Sequence, residues 1–163
     1  MMAHYGKFKN CQNYLAIVGK PGCDEVVGYS GDKVVLTAQS LGLNSCWVAL
    51  TYSKSKVPCN FNPGEKLQIV VALGYGETQG NPHKSKPMDA LCKAEGTMPD
   101  WFLQGMKAAI LAPTAMNQQK FFLSLEGNTV SAKAGLGFYS GIDLGIIKYH
   151  FELGAGKDNF QWA

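Results

Sequence analysis

Residues 112–122 read Ala-Pro-Thr-Ala-Met-Asn-Gln-Gln-Lys-Phe-Phe and separate a helix-like pattern from an apolar, strand-like run. Pro113 cannot continue the preceding helix, because its ring fixes φ and removes the backbone N–H. Asn117, Gln118 and Gln119 then offer donors and acceptors that do not titrate. Such amides suit a site for a planar heterocycle with several polar edges. A solvated helix-to-strand loop is the plainer alternative.

Apolar runs on both sides of this stretch predict strands. Residues 14–18 form a short apolar run that Gly and Pro end, and residues 66–73 form a longer one rich in Ile and Val. Residues 120–125 and 129–133 flank Glu-Gly-Asn at 126–128, which is a hairpin signal.

Helical patterns alternate with these strands. Gly42 suits the position after a first helix, Pro99 suits the start of a second, and Gly154 is predicted to close a third. The expected class is α+β, with helices packed on a mixed or antiparallel sheet. The predicted inward-facing residues are Val34, Ala38 and Leu41 in the first helix, Phe102, Met106, Ala109 and Ile110 in the second, and Ile142, Ile146 and Leu153 in the third.

Composition indicates an ordinary globular domain. With 163 residues, of which 46% are hydrophobic and 17% charged, residues 1–163 are expected to form one domain or two small half-units that share a core. A net charge of +3 is too small to indicate nucleic acid or an anionic membrane as a partner. All basic residues are Lys, so the chain has no bidentate guanidinium group.

The five cysteines indicate free thiols in a reducing compartment. They are odd in number, form no C-x-x-C pair and have no His at ligand spacing, so we expect no disulfide scaffold and no metal site. No apolar run reaches the length of a membrane span, and the N-terminus lacks the pattern of a secretory signal. We therefore predict a cytoplasmic protein.

An internal echo suggests two related half-units, about 13–90 and about 97–163. Tyr-Ser-Gly at 29–31 is followed by Asp32, and the same tripeptide at 139–141 is followed by Asp143. Each copy continues to a Leu-Gly pair and a Trp, so each is predicted to be a turn that opens a helix.

Two motifs together resemble the nitroreductase-like FMN proteins. Residues 112–119 resemble the family's A-P-[ST]-A-x-N-x-Q segment, which contacts the flavin. Residues 41–49, Leu-Gly-Leu-Asn-Ser-Cys-Trp-Val-Ala, resemble the helix-ending G-L-G-[ST]-x-W-[IV]-G run, whose backbone passes the flavin ring. Their order resembles the subgroup in which two half-units are fused.

The resemblance implies an FMN-dependent oxidoreductase that passes electrons from NAD(P)H to a small flat acceptor, nitroaromatic or quinone-like. Hydride transfer then belongs to the cofactor, so no catalytic residue is predicted. Lys84 and Lys86 are expected at the phosphate, although two ordinary surface lysines are an equally good interpretation. The implied ring contacts are Trp47, Val48, Ala49 and Leu50 on one side, and Thr114, Asn117 and Gln119 on the other.

The family's opening R-R-S-x-R segment has no counterpart after Met1. Weak FMN binding is therefore expected, and two chains could complete the site as a homodimer. A non-catalytic or degenerate flavin- or nucleotide-binding module of the same fold is the alternative function.

Other patterns are interpreted as structural. The glycines at 74, 76 and 80 follow a strand, but their spacing exceeds that of a dinucleotide fingerprint. His150 and Glu152 are two residues apart on a helix and point away from each other, so we expect no acid–base pair between them. Cys46 is expected to fill space in the core.

Overall fold

The computed structural model describes residues 10–163 as helices and strands in the mixed order that the sequence predicts. Residues 1–9 lie outside the described part, and the prediction about the N-terminal segment concerns these residues. Among the described residues, no helix is long and apolar enough to cross a membrane. The helices are α1 (Asp24–Ser40), α2 (Asp100–Leu111) and α3 (Ser140–Ala155); the strands are β1 (Asn13–Gly19), β2 (Asn44–Val48), β3 (Lys66–Gly74), β4 (Cys92–Ala94), β5 (Phe121–Glu126), β6 (Thr129–Ala134) and β7 (Gln161–Trp162).

The first sheet is antiparallel and has the order β1-β3-β2. In its register Val71 lies opposite Leu15 on one side and Trp47 on the other. Side chains alternate between the two faces, so Ile17 and Trp47 point toward α1 while Val70 packs on the opposite face. The strand β2 is therefore an edge strand that lies beside α1.

The second sheet has the order β4-β5-β6-β7 and mixes parallel and antiparallel pairs. The predicted hairpin joins β5 to β6 with Glu126 opposite Thr129, and Gly127 adopts φ 60° in its turn. Strands β5 and β6 pair antiparallel, whereas β4 and β7 lie parallel to their neighbours. The predicted α+β class, with a mixed sheet and packed helices, is confirmed.

Helix α3 packs closely against both other helices because glycines line its contacts. A Cβ on Gly145 would overlap the backbone of α1 at Glu25, and a Cβ on Gly28 would overlap the backbone of α3 at Ile142. On the other side, a Cβ on Gly154 would approach the carbonyl oxygen of Gln104 to 2.5 Å. Backbone therefore contacts backbone along both helix pairs, which fixes their spacing.

Aromatic rings fill the core between α2, α3 and the second sheet. Phe102 and Phe151 are fully buried, with ring centroids 5.4 Å apart in an edge-to-face arrangement. Phe160 and Trp162 lie 5.1 Å and 5.5 Å from Phe151. The predicted inner face of α2 is confirmed at Phe102, Met106 and Ala109, which are all buried, while Ile110 is half-buried.

A buried carboxylate links the last strand to two helices. Glu152 accepts hydrogen bonds from the hydroxyl of Tyr29 at 2.5 Å and from Nε1 of Trp162 at 2.8 Å. Burial and the Glu152 carboxylate raise the pKa of Tyr29 to about 12, so the phenol remains a donor. The network joins α1, α3 and β7.

The structure corrects the predicted inner faces of two helices. Val34 and Leu41 are 48% and 70% exposed, and Leu153 is 58% exposed. The buried face of α1 instead carries Gly28, Gly31 and Asp32 among its residues, which a count of apolar positions misses. Helix α3 continues through Gly154 and ends at Gly156, whose φ of 76° suits a residue after a helix.

The two copies of the repeated Tyr-Ser-Gly pattern do not adopt the same structure. Tyr-Ser-Gly at 29–31 lies in the middle of α1, whereas the same residues at 139–141 form the start of α3. The predicted turn at the first copy is therefore wrong. The division into half-units at about 13–90 and 97–163 stays a prediction.

Substituting Gly145 with Ala should destabilise the protein. The added methyl group would overlap the backbone of α1, and overpacking of this kind costs about 1–3 kcal/mol or more. The helical preference of Ala opposes this by only about 1 kcal/mol. We expect a net loss of about 2 kcal/mol in the free energy of unfolding, measured by urea denaturation.

Gly74→Ala is the control, because a Cβ there meets open space and its φ is not positive. It should change the free energy of unfolding by less than about 1 kcal/mol. Equal effects of the two substitutions would contradict close packing of α1 on α3.

Candidate flavin-type cavity

A cavity of about 340 Å³ lies between α1, the edge strand β2, the segment that follows α2, and α3. Its size falls within the range of small-molecule sites, about 300–1,000 Å³. The walls are mainly apolar and include Val35, Ile69, Ile142 and Ile146. A few polar groups interrupt them, which is the usual composition of a site that orients a flat ligand.

The cavity brings together parts of both sequence motifs. Trp47 and Ala49 line it from β2 and the residue after it, and Pro113, Thr114 and Ala115 line it from the segment after α2. These motifs are more than 60 residues apart in the sequence, and only the packing of α3 against α1 and α2 places them together.

The other predicted residues of the Trp motif lie elsewhere. Val48 points to the opposite face of the sheet, because neighbouring residues of a strand alternate, and there it lines a second cavity of about 340 Å³. Leu50 is 62% exposed and does not line the first cavity. The prediction that the motif ends a helix is confirmed, because α1 ends at Ser40, Leu41 caps it and Gly42 adopts φ 84°. Residues 44–48 of the same motif then form β2.

The edge position of β2 explains how its backbone could meet a ligand. Among the described residues, β2 pairs only with β3, so one row of its N–H and C=O groups takes no part in the sheet. That free edge lies beside α1 and the segment after α2. Ser45, Cys46 and Trp47 of this strand line the cavity.

The predicted amides hold a neighbouring loop and do not line the cavity. Asn117 donates from Nδ2 to the carbonyl of Lys84 at 2.9 Å. Gln119 is 4% exposed; it donates from Nε2 to the same carbonyl at 2.9 Å and accepts at Oε1 from the Lys86 N–H at 2.7 Å. Their part in cofactor binding stays a prediction, and the hydrogen bonds assign them a structural role.

The two predicted phosphate ligands also belong to this loop. Lys86 donates from Nζ to the carbonyls of Gln118 and Gln119 at 2.9 Å and 3.0 Å, so its charge is already partly compensated. Lys84 takes part in the loop through its carbonyl. Neither residue lines the cavity.

The segment between α2 and β5 has an unusual backbone. Met116, Asn117 and Gln119 have φ values of 52°, 52° and 45°, and Tyr139, at the start of α3, has 55°. Non-glycine residues adopt this left-handed region at a cost of order 1 kcal/mol or more each, and such strain clusters at functional sites. Of these four residues Tyr139 lines the cavity, and the other three follow the lining residues Thr114 and Ala115 in the sequence.

Asp143 of α3 fixes this segment. Its carboxylate is 5% exposed and accepts from the Ala115 N–H at 2.9 Å and from Nε2 of Gln118 at 2.7 Å. Burial raises the pKa of Asp143, although both hydrogen bonds oppose the shift. The segment is therefore held by hydrogen bonds to α3 on one side and to the 84–86 loop on the other.

Two polar residues at the cavity were not predicted as a pair. Asp32 of α1 is fully buried, and its Oδ2 lies 3.1 Å from Nε2 of His150 on α3. The distance suits an ion pair, but the orientation does not meet the criteria of a hydrogen bond. Nε1 of Trp47 is also buried without a hydrogen-bond partner. The sequence predicted no pair between His150 and Glu152, and no sequence pattern indicated a partner for His150 on α1.

No cluster of His, Cys, Asp and Glu in residues 10–163 could hold a metal ion.

Comparison with known proteins identifies the family. The family described as "Putative TM nitroreductase" matches residues 1–155. The chain belongs to this nitroreductase family. A crystal structure from Thermotoga maritima, described as that of a "putative nitroreductase", matches the fold with a TM-score of 0.66 and 21% sequence identity. No curated protein matches the chain.

The structural match covers 85% of this nitroreductase-family chain and 58% of the Thermotoga maritima chain. The chain thus spans little more than half the length of that protein. At 21% identity the likeness establishes the fold alone. Family membership supports an oxidoreductase function in broad terms.

Gln119→Ala should release the 84–86 loop. The substitution removes the acceptor of the part-buried Lys86 N–H and a donor to the Lys84 carbonyl, and each lost hydrogen bond costs about 0.5–1.5 kcal/mol. We expect a loss of about 1–3 kcal/mol in the free energy of unfolding, together with faster hydrogen exchange at the Lys86 amide. Gln161→Ala is the control, since Gln161 makes only an exposed bond to Thr129; unchanged exchange at Lys86 in Gln119→Ala would contradict the assignment.

Asp143→Asn should change the pH dependence of stability. A raised pKa means that the folded state binds more protons than the unfolded state just above the ordinary Asp value of 3.8. The stability that Asp143 contributes is therefore fully present below that value and is lost as the pH rises through the folded pKa. The stability of the wild type minus that of Asp143→Asn should fall across this window, measured by urea denaturation from pH 3 to 7. A difference that grows with pH would contradict burial as the dominant effect.

Proposed function

We propose that the cavity binds the flat ring of FMN and that the chain is an oxidoreductase which passes electrons from NAD(P)H to a nitroaromatic or quinone-like acceptor. The observation that carries this proposal is the meeting of the two flavin-type motifs at one cavity, where Trp47 and Ala49 lie with Thr114. Membership in a nitroreductase family supports the same reaction class.

The residues present fit the ring of a flavin. A tricyclic ring needs flat apolar cover and a few donors at its edges. The walls supply apolar cover, the free edge of β2 would supply backbone N–H groups, and Trp47 would supply a buried Nε1 that has no partner among residues 10–163. When bound, the flavin would supply hydride transfer. The chain would bind and orient the ring and exclude water from it.

The residues present fit the phosphate less well. No Lys lines the cavity, and Lys86 already donates to two carbonyls. Lys84 is the better candidate, because its carbonyl anchors the loop while its ammonium group can reach outward. The chain has no Arg, so affinity for FMN should be weak unless a second chain adds contacts, as in a homodimer.

A flavin- or nucleotide-binding module without catalysis is the second candidate. The scarcity of cations at the cavity and the structural use of Lys86, Asn117 and Gln119 favour it. The two candidates differ in turnover: both would bind a flavin ring, but only the oxidoreductase would transfer electrons from NAD(P)H to an acceptor.

Flavin titration tests the proposal. Wild-type protein should perturb the visible spectrum of FMN and of riboflavin. Ser45→Trp should weaken binding of both by about tenfold or more, because Ser45 lies at the exposed end of β2 and a large ring there would fill the cavity mouth. Ser40→Trp, at the end of α1 and away from the cavity lining, is the control.

Lys84→Gln should weaken FMN binding more than riboflavin binding, because only FMN carries the phosphate. Unchanged affinity for both flavins in Ser45→Trp would remove the cavity from the flavin site. Absence of any flavin binding by the wild type would end the proposal. Turnover with NAD(P)H and a quinone then separates the enzyme from the binding module.

A further inference from the structure

The Asp32–His150 pair is the most unusual polar feature of the cavity. Asp32 is 0% exposed, and no donor in the described chain satisfies either carboxylate oxygen by a hydrogen bond. The side chain of His150 is 12% exposed and lies 3.1 Å away through Nε2. Both residues line the cavity, from α1 and α3 respectively.

A buried carboxylate of this kind needs a positive partner. Transfer of an isolated carboxylate from water into an apolar interior costs several kcal/mol or more, so buried charges occur as pairs. His150 is the basic side chain within reach, with Nε2 3.1 Å from Oδ2 of Asp32. In a protonated imidazole, Nδ1 is the donor that Asp32 does not face.

We propose that His150 donates a proton to the exocyclic oxygen of a flat carbonyl- or nitro-bearing acceptor in this cavity, and that Asp32 orients the imidazole. The inference rests on the proposed oxidoreductase function. His150 is the catalytic acid in this scheme, because it lines the cavity where the acceptor binds. Asp32 is a positioning residue that acts through His150.

The chemistry balances for a quinone acceptor. A reduced flavin supplies a hydride, which carries two electrons and one proton. The N–H bond of the imidazolium breaks and a new O–H bond forms on the acceptor, so that quinone, hydride and one proton give the quinol. His150 is left neutral beside the Asp32 carboxylate and regains its proton from water.

Other titratable groups at the cavity are less suited to this step. Asp143 is occupied by Ala115 and Gln118. Burial raises the pKa of the Cys46 thiol, and its Sγ lies against the Trp47 carbonyl at 3.6 Å. The hydroxyl of Tyr139 points to the carbonyl of Ala49 at 3.5 Å. The imidazole is therefore the proton source that the geometry favours.

The first test uses the protein without any flavin. Acetophenone is a flat, unreactive aromatic ketone, and a hydrogen bond from a cation to its carbonyl lowers the carbonyl stretching frequency. The infrared band of bound acetophenone should lie at lower wavenumber in wild type than in His150→Phe. The variant should bind acetophenone about tenfold or more weakly, because a charge-assisted hydrogen bond is lost.

Two further variants separate a chemical role from a structural one. Asp32→Asn keeps the shape of the side chain but removes the carboxylate that orients the imidazole, so the band shift should be smaller than in wild type at the same pH. Tyr149→Phe, on the neighbouring position of α3 and outside the cavity lining, should leave the band and the affinity unchanged. A merely structural pair would alter affinity without moving the band.

The outcomes are distinct. A wild-type band at the frequency of His150→Phe, or the same band shift in wild type and Asp32→Asn, would overturn the inference. If His150→Phe does not fold, Asp32→Asn alone decides it. Because this test needs no flavin, failure of the flavin titration would not affect its result. In flavin-loaded wild type, the rate of quinone reduction should fall as the pH rises, and in His150→Phe this dependence on pH should be absent. The same pH profile in both proteins would reject the acid role and leave the oxidoreductase function intact.

Discussion

The close approach of α3 to its two neighbouring helices is the constraint on which the rest of the structure depends. Gly28 and Gly145 let α1 and α3 meet backbone to backbone, and Gly154 does the same for α2 and α3. Because the helices cannot shift apart without losing this contact, the residues on their facing sides are placed firmly. Asp32 reaches His150 and Asp143 reaches Ala115 for this reason.

The same packing explains how a strained segment persists beside the cavity. Met116, Asn117 and Gln119 adopt left-handed φ values that favour glycine. The hydrogen bonds from Asp143 on one side and the 84–86 loop on the other offset this cost. Side chains that resemble ligand-binding groups in the sequence thus maintain the shape of the wall, and Thr114 is left to face the cavity.

Few charged side chains lie at the cavity, and helix packing fixes their positions. Lys84 and Lys86 lie on the 84–86 loop and do not line the cavity. The carboxylates of Asp32 on α1 and Asp143 on α3 are buried. An apolar cavity with one imidazole and one indole N–H suits a flat ring better than a strongly anionic ligand. This balance makes the ring, and not the phosphate, the expected main source of affinity for a flavin.

The sequence by itself determined the strands β1, β3, β5 and β6, the hairpin at Gly127, the inner face of α2 and the family, because local periodicity, turn residues and two motifs carry that information. It did not indicate β2, β4 or β7 as strands. It did not determine which face of α1 is buried, because that face carries Gly31 and Asp32, and a pattern of apolar residues does not include them. Only the tertiary structure decided that Val48 faces away from Trp47's cavity, that Gln119 binds the Lys86 loop, and that His150 faces Asp32. These contacts join residues far apart in the chain, and their geometry arises from helix packing that no local pattern encodes.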